Sequence, residues 1–401
     1  MKILIISSFL PYPLFTGGHI RLFNIIKELS KRHSITLICE KREYQTSSDI
    51  AQVEKVCKQV ITFNRKKQWS LIHILKAAFS SYPFLMIGHT QPSMKEKISS
   101  MVKKEPFDVI HIETSYVMQN VPDISLPTVL VEHNIEYLVY ERFTKNALFF
   151  FRPLFFLDIA KLKYWEEYFW KKATKLVSVS KQEAKYMGRT DIAVVPNGVD
   201  IGRFKIQDSR FKTTKKEKRI LFIGDFKWIQ NIDAIKWLLL EVWPIIRSKI
   251  KDQKLKIDIR LWVVGKKIPN EIKQLTYNKN VFFDENAPKD TVEIFNNSDI
   301  LLAPIRVGGG TSYKILEAMA SGTVVVTTPL GIEGIEAENN KEVLVGENSE
   351  SLAQSVLDLL TNESIYKKIS QNARALIEEK YDWKIIVKEL EAVYNLAIKN
   401  S

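Results

Sequence analysis

The feature that most narrows the fold is a pattern written twice along the chain. Short runs of β-branched and aliphatic residues, apolar at nearly every position, alternate with longer helical stretches. The first series is KILIISS (2–8), SITLICE (34–40), VITFN (60–64), DVIHIE (108–113), TVLVEH (128–133), KLVSVS (175–180) and IAVVP (192–196). A strand with one face in water alternates apolar and polar residues, whereas a strand covered on both faces is apolar throughout. Helical patterns such as HIRLFNIIKELSKR (19–32) fill the intervals, so this half predicts a doubly wound parallel sheet. After PNGVD (196–200) a polar, lysine-rich stretch reads as a linker, and a second series follows. It comprises RILFIG (219–224), IDIRLWVVG (257–265), NVFFDE (280–285), DILLAPI (299–305), TVVVTTP (323–329) and EVLVGE (342–347).

The expectation is therefore α/β: two Rossmann-like domains, 1–200 and 201–382, facing a central cleft. An amphipathic helix, 383–401, is expected to cross back to the first domain. Open α/β sheets bind ligands at the carboxyl ends of their strands, and the unusual residues of this chain follow its strands.

Bulk properties exclude several classes. At 401 residues the chain exceeds one ordinary domain, and 45% hydrophobic content suits a well-filled core rather than disorder. A formal charge of +13 suits an anionic ligand or membrane surface. The basic residues are scattered, with one dense patch at KTTKKEKR (212–219), so nucleic acid is not an expected partner. Cys39 and Cys57 have no metal-ligand or CxxC spacing and read as thiols in a reducing cytosol. The N-terminus imitates a signal peptide, but Ser7, Ser8 and two prolines break its apolar runs; it reads as a first strand. No run of eighteen apolar residues exists, and a cytoplasmic protein is expected. The aromatic segment 147–172, ALFFFRPLFFLDIAKLKYWEEYFWKK, reads either as a core helix or as a shallow peripheral contact with an anionic membrane.

The strongest chemical signal is PIRVGGGTSYKILEAMASG (304–322). Strand DILLAPI leads through Arg306, Gly308, Gly309 and Gly310 to Thr311, read as a helix N-cap. Unobstructed backbone N–H groups at a helix start form an anion site. Lys314 then stands as the third helical residue, where the helix dipole disfavours a cation unless an anion lies between them. Arg306 and Lys314 suit a diphosphate, and Glu317, on the same helix face, suits the adjacent hydroxyls of a ribose. The alternative is a glycine turn before an ordinary amphipathic helix, with Lys314 and Glu317 a solvated pair; the residues alone leave both open. No Walker loop and no GxGxxG after a first strand is present. No Asp-x-Asp motif or histidine ligand spacing occurs, so neither metal nor other cofactor is expected.

The segment GGGTSYKILEAMASGTVVVTTPLGIEG resembles the signature of the family 4 retaining glycosyltransferases, which have the GT-B fold. PYPLFTGGHIR, EHNIEY, VSVSKQE, PNGVD, LFIGDFKWIQNIDAIKWL, SDILLAPI and NARALIEEKYDW agree in order, so the resemblance covers nearly the whole chain. It implies a nucleotide-diphosphate-sugar donor, with Glu317 on the ribose and Arg306 and Lys314 on the diphosphate. It also implies close approach of Gly17 and Gly18 to the donor, and His133 beside the donor sugar near the reacting carbon. Glu132, Asn134 and Glu136, around His133, read either as the wall of an acceptor pocket or as simple loop polarity; the resemblance puts backbone contacts to the nucleobase at Glu285 to Ala287, where an ordinary strand-to-helix loop is the alternative. Asn197-Gly198 reads as a turn with positive φ. Two departures stand out. Many members carry two glutamates eight positions apart, and Gly309 occupies the earlier place here; Asp225 follows the glycine of FIGDFKW where an Arg is commoner, leaving Lys227 to substitute. The implied reaction is retaining, metal-independent transfer of a sugar to a glycan or lipid-linked acceptor in cell-surface polysaccharide or glycolipid biosynthesis. The alternatives are a nucleotide-sugar epimerase of the same fold, or a catalytically silent glycan- or membrane-binding protein.

Overall fold

The computed structural model describes residues 1–66, 71–144, 152–204, 217–288, 290–308 and 310–400. Gly309, most of the lysine-rich linker and the first residues of the 147–172 segment lie outside them. The chain forms two compact units, Met1–Pro196 with Ile386–Ser401, and Asn197–Ile385.

All thirteen apolar runs are strands. The first unit holds β1 (Lys2–Ser7), β2 (Ser34–Lys41), β3 (Gln59–Asn64), β4 (Val109–Glu113), β5 (Thr128–Glu132), β6 (Lys175–Ser178) and β7 (Ala193–Val194). They form one sheet in the order β3-β2-β1-β4-β5-β6-β7, every pair parallel. The second unit holds β8 (Glu217–Ile223), β9 (Asp258–Val264), β10 (Val281–Asp284), β11 (Ile300–Ala303), β12 (Val324–Thr327) and β13 (Leu344–Val345). Their order is β10-β9-β8-β11-β12-β13, again parallel throughout. Parallel neighbours need a crossover between them, and the helical stretches supply it.

The central strands are buried along their length: β4, β11 and β12 at every residue, β1 at all but Lys2. Each buried Ile, Leu or Val contributes about 1.5–3 kcal/mol. In each sheet the order reverses next to the first strand, between β1 and β4 and between β8 and β11. That reversal opens a crevice at the carboxyl ends. Gly17 and Gly18 begin the helix Gly17–Leu29 after β1, Glu113 ends β4 and His133 follows β5. In the second sheet Gly224 follows β8 and Arg306 lies just past β11.

The aromatic segment resolves into a helix, Arg152–Lys172. One side carries buried Ile159, Leu162, Phe169 and Trp170, while Phe156, Leu157, Tyr164 and Tyr168 are exposed. Lys161 donates to the Ala77 and Ser80 carbonyls at 2.8 and 2.7 Å, tying it to the end of the helix Leu71–Phe79. Among the described residues no helix is long and apolar enough to cross a membrane.

Gly198 corrects an expectation. Among the described residues the positive-φ glycines are Gly188, Gly308, Gly310, Gly322 and Gly334, so Asn197-Gly198 is not a left-handed turn. A Cβ on Gly198 would stand 2.9 Å from the Trp383 ring and the Tyr381 carbonyl oxygen, so glycine is required there for close packing. Gly265 is tighter still, its missing Cβ falling onto the Gly224 carbonyl oxygen and the Phe226 ring. Gly265→Ala is expected to destabilise the second unit by at least the ~1–3 kcal/mol typical of overpacking and to displace the 224–226 loop. Urea unfolding compared with wild type measures it, and an unchanged midpoint would refute this packing account.

Candidate active site

In the second unit the site is built from two helix starts. The helix Ile229–Trp237 follows β8, and the helix Tyr313–Ser321 follows β11; neither has an acidic residue in its first turn. Gly308 and Gly310 have φ of +115° and +81°, conformations that side chains resist. They turn the loop so that Gly308 lies against Gln230, 3.6 Å from where a Cβ would be. The N-cap is Ser312 rather than Thr311, and it makes no side-chain capping bond. Lys314 is therefore the second helical residue, closer still to the positive end of the dipole. Thr311 instead packs against Gly334, 2.8 Å from where that residue's Cβ would be, and its buried Oγ1 has no hydrogen-bond partner among the described residues.

The Lys314 ammonium makes one hydrogen bond, to the Asn231 amide oxygen at 2.8 Å, and lies 5.5 Å from the centre of the Phe222 ring. Among the described residues it is within ion-pair distance of no carboxylate. Burial lowers its pKa to about 8. Glu317, one turn on, accepts from the Thr291 hydroxyl at 3.0 Å, and burial raises it to about 7. Hydrophobic burial of Ile315, Leu316, Ala318, Met319 and Ala320 fixes the helix and turns Lys314 and Glu317 to its half-buried side.

Arg306 is committed elsewhere: its guanidinium pairs with Asp233 at 2.9 Å and stacks 4.5 Å from the Trp237 ring centre. Lys227 is exposed, and its backbone N–H donates to Asp225 at 3.0 Å. Glu285 receives the Ile268 N–H at 2.9 Å and pairs with Lys273 at 2.5 Å, whose hydrogen bond holds its carboxyl below the usual range. Asn197 is partly buried at the start of the unit, and Gly309 lies outside the described residues.

In the first unit His133 is the outer end of a buried relay. Its Nε2 lies 2.5 Å from Glu113 Oε1. Glu113 Oε2 lies 2.5 Å from His111 Nε2, and His111 Nδ1 lies 2.6 Å from the Tyr394 hydroxyl. Arg21 adds a cation 3.9 Å from Glu113. Burial alone would raise the Glu113 carboxyl, but the two histidines outweigh it and hold the carboxyl well below its ordinary range. A carboxylate only accepts, so His133 donates from Nε2 and presents Nδ1 towards Gly18, 3.6 Å from where a Cβ would be. Gly17 and Gly18 lie in the first turn of their helix, with Thr16 as N-cap.

Beside this relay Glu132 accepts from Trp170 Nε1 at 3.0 Å and from the Ser115 N–H at 3.3 Å; burial lifts it to about 8. Glu136 is raised by burial as well, with Asn134 donating to it at 3.3 Å. Among the described residues no three His, Cys, Asp or Glu side chains gather in a way that could hold a metal ion.

Sequence reasoning missed Asn231, Asp233 and Thr291, the partners of the three charged residues it named, and the relay behind His133. His111 and Glu113 are two apart on one strand, so they share a face; a polar pair at that spacing in an otherwise apolar run was the available signal. Tyr394 had none, being 283 residues from its partner.

Two family models match the chain: "Glycosyltransferase Family 4" over residues 15–203 and "Glycosyl transferases group 1" over residues 217–362. An uncharacterized 44.6 kDa protein in the cps region of Klebsiella pneumoniae is 23% identical over 402 residues, covering 97% of this chain and 98% of that protein. The capsular polysaccharide biosynthesis glycosyltransferase CapM of Staphylococcus aureus is 24% identical over 212 residues, 51% of this chain and 54% of its own length. Anabaena HepE, solved in complex with UDP and glucose, superposes with a TM-score of 0.65 at 16% identity, covering 99% of this chain and all of that one. The chain belongs to the family 4-type glycosyltransferases of the GT-B fold.

The relay carries its own prediction. A carboxyl held low in the folded state contributes stability above its unfolded pKa, and that contribution is lost as pH falls through the folded value. Glu113→Gln is expected to lower stability by roughly 3 kcal/mol at neutral pH, the scale of breaking a buried ion pair. The gap from wild type should close in acid. Denaturant melts at several pH values test this, and a pH-independent gap would contradict an ionised Glu113.

Proposed function

We propose that this glycosyltransferase takes its sugar from a nucleotide-diphosphate donor and passes it, with retained configuration and without a metal, to an acceptor hydroxyl. The observation that carries the donor assignment is Lys314. It is a half-buried ammonium in the first turn of a helix, answered by one amide oxygen and one aromatic ring. A diphosphate supplies the missing charge, with the backbone N–H groups of Gly308 and Gly310 and the Thr311 hydroxyl as further donors. Arg306 adds a second cation on exchanging Asp233 for phosphate, and Glu317 accepts from the ribose hydroxyls. Glu285 to Ala287 border the nucleobase. The UDP held by HepE and the capsular role of CapM favour this donor class and an acceptor in cell-surface polysaccharide or glycolipid assembly.

The chemistry needs no protein nucleophile. The acceptor attacks on the face the diphosphate leaves, through an oxocarbenium-like transition state, and the departing phosphate oxygen takes the acceptor proton. Orientation and charge stabilisation are the protein's contribution. Lys314, Arg306 and the helix dipole stabilise the leaving diphosphate in the role a metal would otherwise play. His133, oriented by Glu113, meets the donor sugar beside Gly17 and Gly18. Asn197 and Lys227 are left with supporting roles at the margin of the donor site.

Because the charged groups are pre-shifted, donor affinity has a worked pH dependence. Ribose hydroxyls favour the ionised Glu317, so affinity rises as pH passes up through about 7. A diphosphate favours the charged Lys314, so affinity falls as pH passes above about 8. Calorimetric titration of nucleoside diphosphates is expected to show a maximum between these limbs. Glu317→Gln removes the acid limb; Lys314→Met removes the alkaline limb and weakens binding about tenfold or more, as for a lost charge-assisted bond. Unchanged affinity in both variants would exclude this site. An epimerase would convert a nucleotide-diphosphate sugar without acceptor, which incubation of the protein with the nucleotide sugar alone reports.

Peripheral membrane contact is a second part of the proposal. Phe156 and Leu157 are 59% and 66% exposed, and Phe79, on the adjoining Leu71–Phe79 helix, is 89% exposed. Apolar side chains on helices of a basic protein suit an anionic lipid surface. Flotation with anionic vesicles is expected for wild type and reduced in Phe79→Ser and Phe156→Ser; wild-type protein that stays at the bottom of the gradient ends the idea.

A further inference from the structure

A second positive site lies within the first unit, one residue beyond the sheet. β2 and β3 end in register, Lys41 opposite Asn64, and the Arg65 N–H donates to the Lys41 carbonyl at 2.9 Å. Arg42 and Arg65 therefore leave neighbouring strands side by side, their backbones at roughly the ~4.8 Å spacing of paired strands. The carboxylate at this edge, Glu40, is already engaged by His89 Nδ1 and Gln91 Nε2, each at 2.7 Å. An Arg65 guanidinium nitrogen lies 3.2 Å from His89 Nε2. A guanidinium only donates, so His89 accepts at Nε2, gives its Nδ1–H to Glu40 and is neutral. Glu40 thus offsets one of two guanidinium charges, and Glu43, in the same turn, has a partner of its own. Arg42 is exposed, and among the described residues its guanidinium has no carboxylate partner.

The neighbouring loop adds to the imbalance. Gln45 Nε2 donates to the Leu10 and Tyr12 carbonyls at 3.0 and 2.6 Å, pinning the turn that carries Arg42 against the loop before the Gly17–Leu29 helix. That helix has no acidic residue in its first turn. Burial, then the charge of Arg42, lower His19 to about 4. Alongside stand two exposed aromatic rings, Phe15 and Tyr44, 6.3 Å apart. The Phe9 ring lies 5.1 Å from His19 and 6.5 Å from His133, so this patch adjoins the residue assigned to the reacting sugar.

We propose that Arg42 and Arg65 hold an anionic group of the acceptor, with Phe15 and Tyr44 flanking its sugar. The acceptor is then an acidic or phosphorylated glycan, its anion a sugar carboxylate or a phosphate ester. This rests on the reading that the chain glycosylates an acceptor held by its first unit. Two oxygens of either anion match the paired guanidinium donors, while a neutral sugar leaves two like charges facing each other.

The test titrates the full chain with glucuronic acid, glucose 6-phosphate and glucose by ligand-observed NMR, in wild type, Arg42→Gln and Arg65→Gln. Nucleoside diphosphates are titrated into the same samples. One anionic sugar is expected to bind about tenfold tighter than glucose, as two charge-assisted bonds would give. Each substitution should erase that preference while leaving nucleotide affinity unchanged. The sugar preferred identifies the anion as carboxylate or phosphate. Arg42 is exposed, so its variant carries the test should Arg65→Gln fail to fold. No preference over glucose in wild type overturns the inference, as does a preference surviving both substitutions, which would place the anion elsewhere. Anion preference without nucleotide binding would leave this inference standing and remove the donor reading.

Discussion

A parallel strand covered on both faces has no room for a charge, because an ion in that position would lose its water without gaining a partner. β11 and β12 obey that constraint, buried at every residue and free of charged side chains, and in β4 the carboxylate of Glu113 stands at the last residue of the strand, with His111, His133 and Arg21 as its partners. Polar chemistry is consequently displaced to where the strands stop. The order reversals beside β1 and β8 then decide which strand ends diverge enough to admit a ligand. The glycine loops, the two helix starts of the second unit and the relay ending at His133 all occupy such positions.

The two units treat charge at these edges in different ways. In the first, Glu113 is wrapped by His111, His133 and Arg21, and Tyr394 closes the relay from the C-terminal segment. Such a network fixes a ring's tautomer and direction, which suits a residue that must be held in one orientation. In the second, Lys314 is left without a carboxylate partner among the described residues and with its pKa lowered by burial. An ammonium in that state is poised to gain from an arriving anion. Its neighbour Arg306 is instead paired with Asp233, a partly exposed pair of the kind that contributes little to stability.

Element positions were legible in the sequence because continuous apolar runs have one stable use in a chain of alternating helices. Lys314, Glu317, Gly308 and Gly310 were legible because loop, helix start and charge lie within a dozen residues of each other. Thr311 was misread as the N-cap since either Thr311 or Ser312 satisfies the local rule; packing of Gly334 against Thr311 chose Ser312. Gly198 was misread as a turn because glycine serves both positive φ and close approach, and the second needs knowledge of Trp383. Asn231, Asp233 and Tyr394 were illegible for one reason: each acts through a partner brought up by the fold, at separations of 73 to 283 residues.

The same distinction bears on why the free protein tolerates Lys314 where it is. Partial desolvation of an ammonium, beside a dipole of its own sign, costs on the order of a few kcal/mol. The helix carrying it buries Ile315, Leu316 and Met319 completely, at about 1.5–3 kcal/mol apiece. One such side chain offsets the charge, and the helix holds its place with the site empty. Part of the desolvation cost is thus met during folding, and in the proposed complex an anion would meet an ammonium already aimed and held by Asn231. The unpartnered Thr311 hydroxyl is a second deficit of the same kind in the same loop. Two deficits beside two left-handed glycines are what the proposed diphosphate would relieve, and the geometry of the loop is a property of the core beneath it.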